Sequence, residues 1–179
     1  DKVTRKYQYI NGQLVDVALV SSVEIKPSVS KILVKGDKYV PNVADLSYWA
    51  WPTNTPYTIT TYYQYRWGSF HAAIDIYVGF GSPIYAANNG EVIMATNVDN
   101  GGYGKFAVIN HHNGYSTLYG HMVKVVVNVG DVVEKGQLIG YMGSTGISTG
   151  CHLHFEVWSG YPWTNGHRLN PNVISTYNR

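Results

Sequence analysis

Two histidines stand two residues apart in the stretch "GCHLHFEV", which covers residues 150–157. A half-buried strand alternates its two faces, so Leu153, Phe155 and Val157 are expected to point into a core. His152 and His154 share the opposite face, with Cβ atoms about 6–7 Å apart along the strand. Both imidazoles can therefore serve one site, but this spacing favours different roles over two equivalent ligands.

His152 and His154, taken together with His71 and Asp75, indicate metal-assisted chemistry. Outside all-cysteine sites, zinc is usually bound by imidazole and carboxylate groups, and a catalytic zinc keeps one position for water or substrate. His71, Asp75 and one histidine of the pair would supply two histidines and one carboxylate. In a straight strand His71 and Asp75 would lie about 13 Å apart, so sharing an ion requires a bend near Ala72 and Ala73.

Two further residues complete the candidate site, namely His121 in the stretch "YGHM" and Tyr65 shortly before His71. A single histidine on a strand is more often structural or exposed than functional. The combination of these residues in one small β-rich region is what favours a site.

Four other residues near these motifs are expected to have no role at the site. His111 and His112 fall at a predicted hairpin turn, where exposure is expected, and His167 lies in the C-terminal stretch "NGHRLNP". Glu156 shares the face of the histidine pair. It could orient one of these histidines, but the role we expect is that of a solvated carboxylate at a strand end.

The elements that must position these residues are indicated by composition and turn signals. The chain of 179 residues has 16 tyrosines and 19 glycines, which suit strands and tight turns respectively. Short strand-like runs follow one another over residues 61–179, so we predict a compact all-β domain of antiparallel sheet there. Asn11 and Gly12 lie between two alternating runs, which predicts an N-terminal β-hairpin. A further strand, "SKILVKG", is expected within a β-rich module of residues 1–40, and residues 41–60, with three prolines, are expected to form an ordered linker.

The same totals exclude several classes of protein. The formal net charge is +2 and no cluster of lysines and arginines interrupts the sequence, so nucleic acid is not an expected partner. No apolar run approaches the roughly 18 residues of a membrane-spanning helix. The single cysteine rules out an internal disulfide.

Together, the motifs resemble those of the lysostaphin-type (LytM) zinc endopeptidases. The resemblance is carried by "FHAAIDIYVGFGSPIYAANNGEVIMA", "YGHM", "VGDVVEKGQLIGYMGSTGISTGCHLHFEV" and "RLNP", and it extends from Tyr65 to Pro171. It implies a compact antiparallel β domain with zinc in a groove between loops. It also implies an enzyme that cleaves peptide stems or cross-bridges of bacterial peptidoglycan, at the cell wall and outside the cytoplasmic membrane.

On the matching positions, the resemblance implies three zinc ligands, which are His71, Asp75 and His154. It assigns His152 and His121 to acid–base catalysis beside the zinc, without deciding which of them is the base. It assigns Tyr65 to support of the transition state. Cys151 stands where proline is common in the family, a difference that leaves every ligand in place.

Residues 3–38 resemble part of a bacterial cell-surface module named for its five glycines, which implies wall attachment and a monomeric domain of a longer polypeptide. The alternative function is a catalytically silent or autoinhibited LytM-like domain that binds peptidoglycan or activates a partner. The tyrosines and tryptophans of residues 41–60 would either line its groove or block it. A purely structural zinc site is a further alternative, although such sites usually have four protein ligands. The loops "NVDNGGYGK" and "WSGYPWTNGH" are expected to form the groove walls.

Overall fold

The computed structural model describes residues 2–11, 13–23, 41–45, 47–99, 101–174 and 177–178. The chain divides into two compact units, Asp1–Lys38 and Tyr39–Arg179. The predicted strand "SKILVKG" lies outside the described residues, and the cell-surface module stays a prediction. Among the residues that are described, no helix has the length and apolar character needed to cross a membrane.

The first unit contains an antiparallel hairpin of two strands, β1 (Lys2–Ile10) and β2 (Gln13–Val23). Tyr7 and Tyr9 of β1 are both exposed. The turn includes Asn11, whose φ of 51° is one that asparagine tolerates better than most residues. This hairpin is the one predicted from the Asn-Gly pair.

The second unit is built from short strands joined by tight turns, with a four-residue 3-10 turn at Pro171–Ile174. Its strands are, in chain order, β3 (Trp49–Ala50), β4 (Thr58–Thr61), β5 (Gln64–Arg66), β6 (Ser69–His71), β7 (Ile74–Tyr77), β8 (Pro83–Tyr85), β9 (Gly90–Thr96), β10 (Lys105–Asn110), β11 (Tyr115–Val125), β12 (Val132–Val133), β13 (Leu138–Met142), β14 (Leu153–Ser159), β15 (His167–Leu169) and β16 (Tyr177–Asn178).

Ten of these strands form one sheet. Its main path is β12-β9-β10-β11-β14-β7-β4, with β13 paired to β11 and β8, and β15 paired to β14. The pairs within this sheet are antiparallel, while β5 and β6 form a separate antiparallel hairpin and β16 pairs with β3 in parallel. The prediction of an all-β domain with an antiparallel sheet is therefore confirmed.

The central strand β14 shows the predicted alternation. Leu153, Phe155 and Val157 are fully buried in the hydrophobic core. The strand pairs with β11 on one side and with β7 on the other, and the second pairing sets His154 opposite Asp75. The apolar face of β14 thus fixes the strand in the core while its opposite face presents polar side chains.

The segment of residues 41–60 packs on the body of the second unit. Trp49 and Trp51 are buried within the hydrophobic core of that unit. Between them, the Ala50 N–H donates to the Ala87 carbonyl at 2.8 Å. Both tryptophans are therefore part of the core.

Candidate active site

A cleft of about 550 Å³, a volume typical of ligand sites, opens over the polar face of β14. Its lining includes Asp75, His121, His152 and His154. The β5–β6 turn, the segment before β10 and the loop between β13 and β14 also contribute residues. The structure therefore brings four of the six predicted site residues into one cleft.

His71 reaches the same group because the chain bends where the sequence predicted. Strand β6 ends at His71 and β7 begins at Ile74, with a bend at Ala73 between them. His71 Nε2 consequently lies 3.1 Å from Asp75 Oδ1. The hairpin partner of His71 is Gln64 of β5, so the β5–β6 hairpin carries His71 to the centre.

Hydrogen bonding determines which ring nitrogen of His71 carries a lone pair, whereas both ring nitrogens of His154 face carboxylates. His71 Nδ1 lies 3.1 Å from the Tyr62 carbonyl oxygen, which can only accept, so Nδ1 carries the proton. His71 Nε2 is buried without a hydrogen-bond partner, because its neighbour Asp75 Oδ1 is also an acceptor. His154 Nδ1 lies 3.0 Å from that same oxygen, and His154 Nε2 lies 3.2 Å from Glu156 Oε1.

These three side chains form a group whose possible ligand atoms lie within 4.8 Å of one another: His71, Asp75 and His154. Two imidazole nitrogens and a carboxylate oxygen are a donor set that zinc accepts. Acceptor atoms packed this closely repel one another unless a cation or a proton lies among them. The residues therefore fit a bound divalent cation.

His121 and His152 stand side by side at the cleft, with ring centroids 4.8 Å apart. Each ring contacts a loop carbonyl through Nδ1 at 2.8 Å, His121 at Thr145 and His152 at Gly150. Because a carbonyl can only accept, both Nδ1 atoms carry protons, so Nε2 is the atom that carries the lone pair in the neutral form of each ring. His152 Nε2 lies 3.6 Å from Asp75 Oδ1. The pair therefore offers two proton acceptors beside the candidate metal centre.

His121 depends for its position on an irregular backbone. Its φ is 60°, in the left-handed region that is unfavourable for residues with a Cβ atom. Tyr119 and Met122 both belong to the hydrophobic core although they are three residues apart, so the alternation of β11 is broken between them. This break directs His121 to the cleft.

The charges of the centre shift several pKa values. Burial and the proximity of His154 lower the pKa of His121 to about 4, so this imidazole is neutral at pH 7. Burial acts to raise the pKa of Asp75, but the imidazoles of His154 and His71 against its carboxylate outweigh it and hold that pKa well below its usual range. Burial acts to lower the pKa of His154, but hydrogen bonds with Asp75 and Glu156 outweigh it and raise that pKa.

The expectation for Glu156 is wrong, since this residue is only 2% exposed. Its carboxylate accepts hydrogen bonds from the Tyr103 hydroxyl at 2.9 Å, the Trp158 Nε1–H at 2.6 Å and the Arg168 Nε–H at 3.0 Å. The fourth partner is His154 Nε2. The alternation of β14 gave the correct face, but Tyr103 and Arg168 come from distant loops and strands and cover that face. Glu156 thereby holds His154 with its Nδ1 turned to Asp75.

The structure does not bring Tyr65 to this group. Its side chain is 79% exposed and packs edge-on against Phe70, with ring centroids 4.9 Å apart. The next residue, Arg66, lines the cleft instead, because neighbouring residues of β5 point to opposite faces. Arg66 Nη2 lies 3.5 Å from Asp75 Oδ2, and Arg66 Nη1 donates to the Thr61 hydroxyl at 3.0 Å. The sequence analysis missed Arg66, although its position in the hairpin that carries His71 was a usable signal.

Of the three histidines predicted to be bystanders, none lines the cleft, but one of them is not exposed. His112 and His167 lie at the surface, as expected. His111 is fully buried, with Nδ1 2.7 Å from the Asn89 carbonyl oxygen and Nε2 2.8 Å from the Thr117 hydroxyl. Burial lowers the pKa of His111 to about 4. The expected exposure of His111 is therefore wrong, because these partners lie away from the turn itself.

The cleft walls follow the sequence expectation in part. Gly102 and Tyr103 of the loop "NVDNGGYGK" line the cleft. From the loop "WSGYPWTNGH", Trp163 packs behind Tyr103, with ring centroids 5.6 Å apart. Thr60 is the one residue of the described part of 41–60 that lines the cleft. The described residues of this segment therefore do not block the groove.

An all-β domain with this histidine–aspartate cleft has the features of a metallopeptidase. The sequence model of Peptidase family M23 matches residues 69–171, and the chain belongs to this family. This result confirms the resemblance to the lysostaphin-type enzymes.

Similar proteins include lysostaphin from Staphylococcus simulans, which is 37% identical over 89 residues, covering 50% of this chain and 18% of lysostaphin. Another is the peptidoglycan DD-endopeptidase ShyA from Vibrio cholerae, which is 40% identical over 87 residues, covering 49% of this chain and 20% of ShyA. The chain thus spans about a fifth of the length of these curated relatives.

Solved structures agree with these matches. The catalytic domain of the prophage-encoded M23 protein EnpA from Enterococcus faecalis, solved as a mutant, is 34% identical with a TM-score of 0.62, covering 69% of this chain and 95% of that domain. The structure of lysostaphin from Staphylococcus simulans is 31% identical with a TM-score of 0.59, covering 66% of this chain and 48% of that protein.

Proposed function

We propose that this chain is a zinc-dependent endopeptidase that cleaves peptide bonds of bacterial peptidoglycan. The observation that carries the proposal is the convergence of His71 Nε2 and His154 Nδ1 on Asp75 Oδ1, at 3.1 and 3.0 Å. Membership of Peptidase family M23 and similarity to peptidoglycan endopeptidases such as ShyA support the choice of reaction and substrate. Because that substrate surrounds the cell, the protein would act outside the cytoplasmic membrane.

His71, Asp75 and His154 would hold the zinc ion. Bound there, zinc would supply Lewis-acid activation of water and of the scissile carbonyl group. Arg66 contacts Oδ2 of Asp75 and so orients its carboxylate, and Glu156 holds the ring of His154 through Nε2. The three ligands are thus positioned by the chain's own hydrogen bonds.

His121 and His152 would perform the acid–base work. Their Nδ1 protons are held by the carbonyls of Thr145 and Gly150, so each ring accepts a further proton only at Nε2. One of them takes a proton from the attacking water and returns it to the leaving amine. Once protonated at Nε2, a ring can also donate a hydrogen bond to the negative charge that develops on the carbonyl oxygen. The scheme does not use Tyr65, because this residue does not line the cleft.

The test is mass spectrometry of fragments released from purified peptidoglycans, one with glycine cross-bridges and one with direct stem cross-links. We expect the zinc-loaded protein to release defined peptides from at least one wall, and a chelator to stop the release. The fragment masses identify the cleaved bond.

The matched control is His121→Ala, which should keep one zinc by elemental analysis and lose activity. If the variant keeps both, His121 has no acid–base role. If the zinc-loaded protein binds walls but releases no peptide from any of them, the protein is a binding or activating domain and the proposal fails.

A further inference from the structure

The turn between β5 and β6 places a tryptophan where the backbone disfavours one. Trp67 and Gly68 are the two central residues of this hairpin, with φ values of 49° and 81°. Two-residue hairpins with both φ values positive favour Asn-Gly. A bulky residue at positive φ is an outlier that the rest of the structure usually has to stabilise.

Packing within the protein does not stabilise this tryptophan. The side chain of Trp67 is 88% exposed, and the Arg66 guanidinium lies 5.0 Å from the centroid of its ring. Trp163 provides the contrast, since it also has a positive φ of 59° but packs against Tyr103 and Phe106. The conformation of Trp163 is therefore explained by its neighbours, whereas that of Trp67 is not.

A second large apolar side chain is exposed in the same cleft. Ile147 is 81% exposed and lines the cleft together with Trp67. Its loop is fixed, because the Ile147 N–H donates to the Gly102 carbonyl at 2.9 Å and the Gly146 N–H donates to the Asp99 carboxylate at 3.0 Å. Ile147 is thus presented to the cleft by an ordered loop.

We propose that Trp67 and Ile147 form an apolar subsite that packs against the peptide chain of the substrate beside the scissile bond. This inference rests on the proposed function. The ligand class is an extended peptide of small, uncharged residues, such as glycine or alanine. Strain and exposure at functional positions are expected where a ligand supplies the missing contacts.

The cleft argues for small, uncharged residues in two ways. Among the described residues that line it, the charges other than histidine are Arg66 and Asp75, which face each other at 3.5 Å and are already matched. The flat face of an indole ring can contact peptide N–H and Cα–H groups, and small side chains leave those groups accessible. Recognition at this wall would therefore be apolar and would follow the backbone of the ligand.

The decisive variant is Trp67→Asn, because asparagine suits the turn while removing the ring. We expect its melting temperature to rise and its KM for a fluorogenic pentaglycine or alanine-containing stem peptide to increase about tenfold, with little change in kcat. Ile147→Thr should raise KM in the same direction. Phe80→Asn is the matched control, because Phe80 is 71% exposed but does not line the cleft, and its KM should stay at the wild-type value.

A binding measurement separates this inference from the proposed function. In a zinc-loaded His152→Ala background, pentaglycine or the stem peptide should quench tryptophan fluorescence, and Trp67→Asn should remove the quenching. If the protein is inactive on every wall yet this quenching is seen, the proposed function fails and the subsite stands. If the protein is active but neither KM nor quenching depends on Trp67, the subsite is excluded and the proposed function stands.

Discussion

Two histidine networks touch strand β11, and they are built on opposite principles. At one of them the two ring nitrogens of His111 contact the Asn89 carbonyl and the Thr117 hydroxyl, and the Thr117 and Tyr119 hydroxyls lie 2.8 Å apart. At the other, one ring nitrogen of His71 and one of His154 both point at a single oxygen of Asp75. A network in which donors match acceptors stabilises a fold, whereas ligand atoms that converge in this way require a cation or a proton among them.

Burial alone does not distinguish the two networks, because His111 is more deeply buried than His154. What distinguishes them is the count of donors and acceptors. We refer to them as the matched network (His111, Thr117, Tyr119) and the convergent centre (His71, Asp75, His154). Four predictions test this distinction, from the largest expected effect to the smallest.

Substitution of His154 should abolish metal binding at the convergent centre and leave the matched network intact. His154→Ala removes one of the three candidate ligands, so we expect the zinc content by elemental analysis to fall to near zero and activity to disappear. His111→Ala is the control. It should keep one zinc but lower the free energy of unfolding by about 3 kcal/mol, because it leaves a cavity and two unpaired polar partners. The distinction fails if His111→Ala loses zinc or if His154→Ala keeps it.

Removal of either cleft histidine outside the ligand set should affect catalysis and not metal binding. For His121→Ala and His152→Ala we expect kcat to fall by about 10²- to 10⁴-fold, since each removes a proton acceptor. Zinc content should stay at one per chain. A loss of zinc in either variant would make that histidine a ligand rather than an acid–base group.

The matched network should make stability depend on pH. The pKa of His111 is about 4 in the folded protein and about 6.5 when the chain is unfolded, so the unfolded state binds a proton first as pH falls. Its contribution is complete above pH 6.5 and is lost as pH falls towards 4, by at most about 3 kcal/mol. Urea unfolding at pH 7, 5.5 and 4 measures this loss. His111→Gln should show a shallower decline over the same range, and an identical decline would contradict the assignment.

The smallest effect is expected at Glu156, which contacts His154 Nε2 on the side of the ring away from Asp75. Glu156→Gln keeps the size of the side chain but weakens its hold on His154 Nε2, so we expect zinc affinity to fall about 10- to 100-fold. Competition with a chromogenic chelator measures this without any substrate. An unchanged zinc affinity would show that Glu156 has no positioning role.

The sequence was sufficient for the fold and for much of the site. Alternation in β14 predicted which residues enter the core, and the distance between His71 and Asp75 required the bend that the structure shows at Ala73. Alternation failed at His121, because a left-handed residue interrupts the period of β11. Such an interruption depends on contacts that form only in the folded sheet.

The errors at Glu156 and His111 share one physical cause. The local pattern gives the face of a strand or the position of a turn, but it does not give what covers that face. Glu156 is covered by Tyr103 and Arg168, which are 53 and 12 residues away in the chain. His111 is bonded to the Asn89 carbonyl from a separate segment, 22 residues away. The burial of Glu156 and of His111 therefore depends on hydrogen bonds between residues that are distant in the chain.

His154 lies between two carboxylates, so a proton on its ring and a metal ion can take each other's place at the convergent centre. Asp75 and Glu156 raise the pKa of this ring, so a proton on Nδ1 can balance the same negative charge that a zinc ion would balance. Zinc binding at this ring would then exchange one cation for another, with release of a proton to solvent.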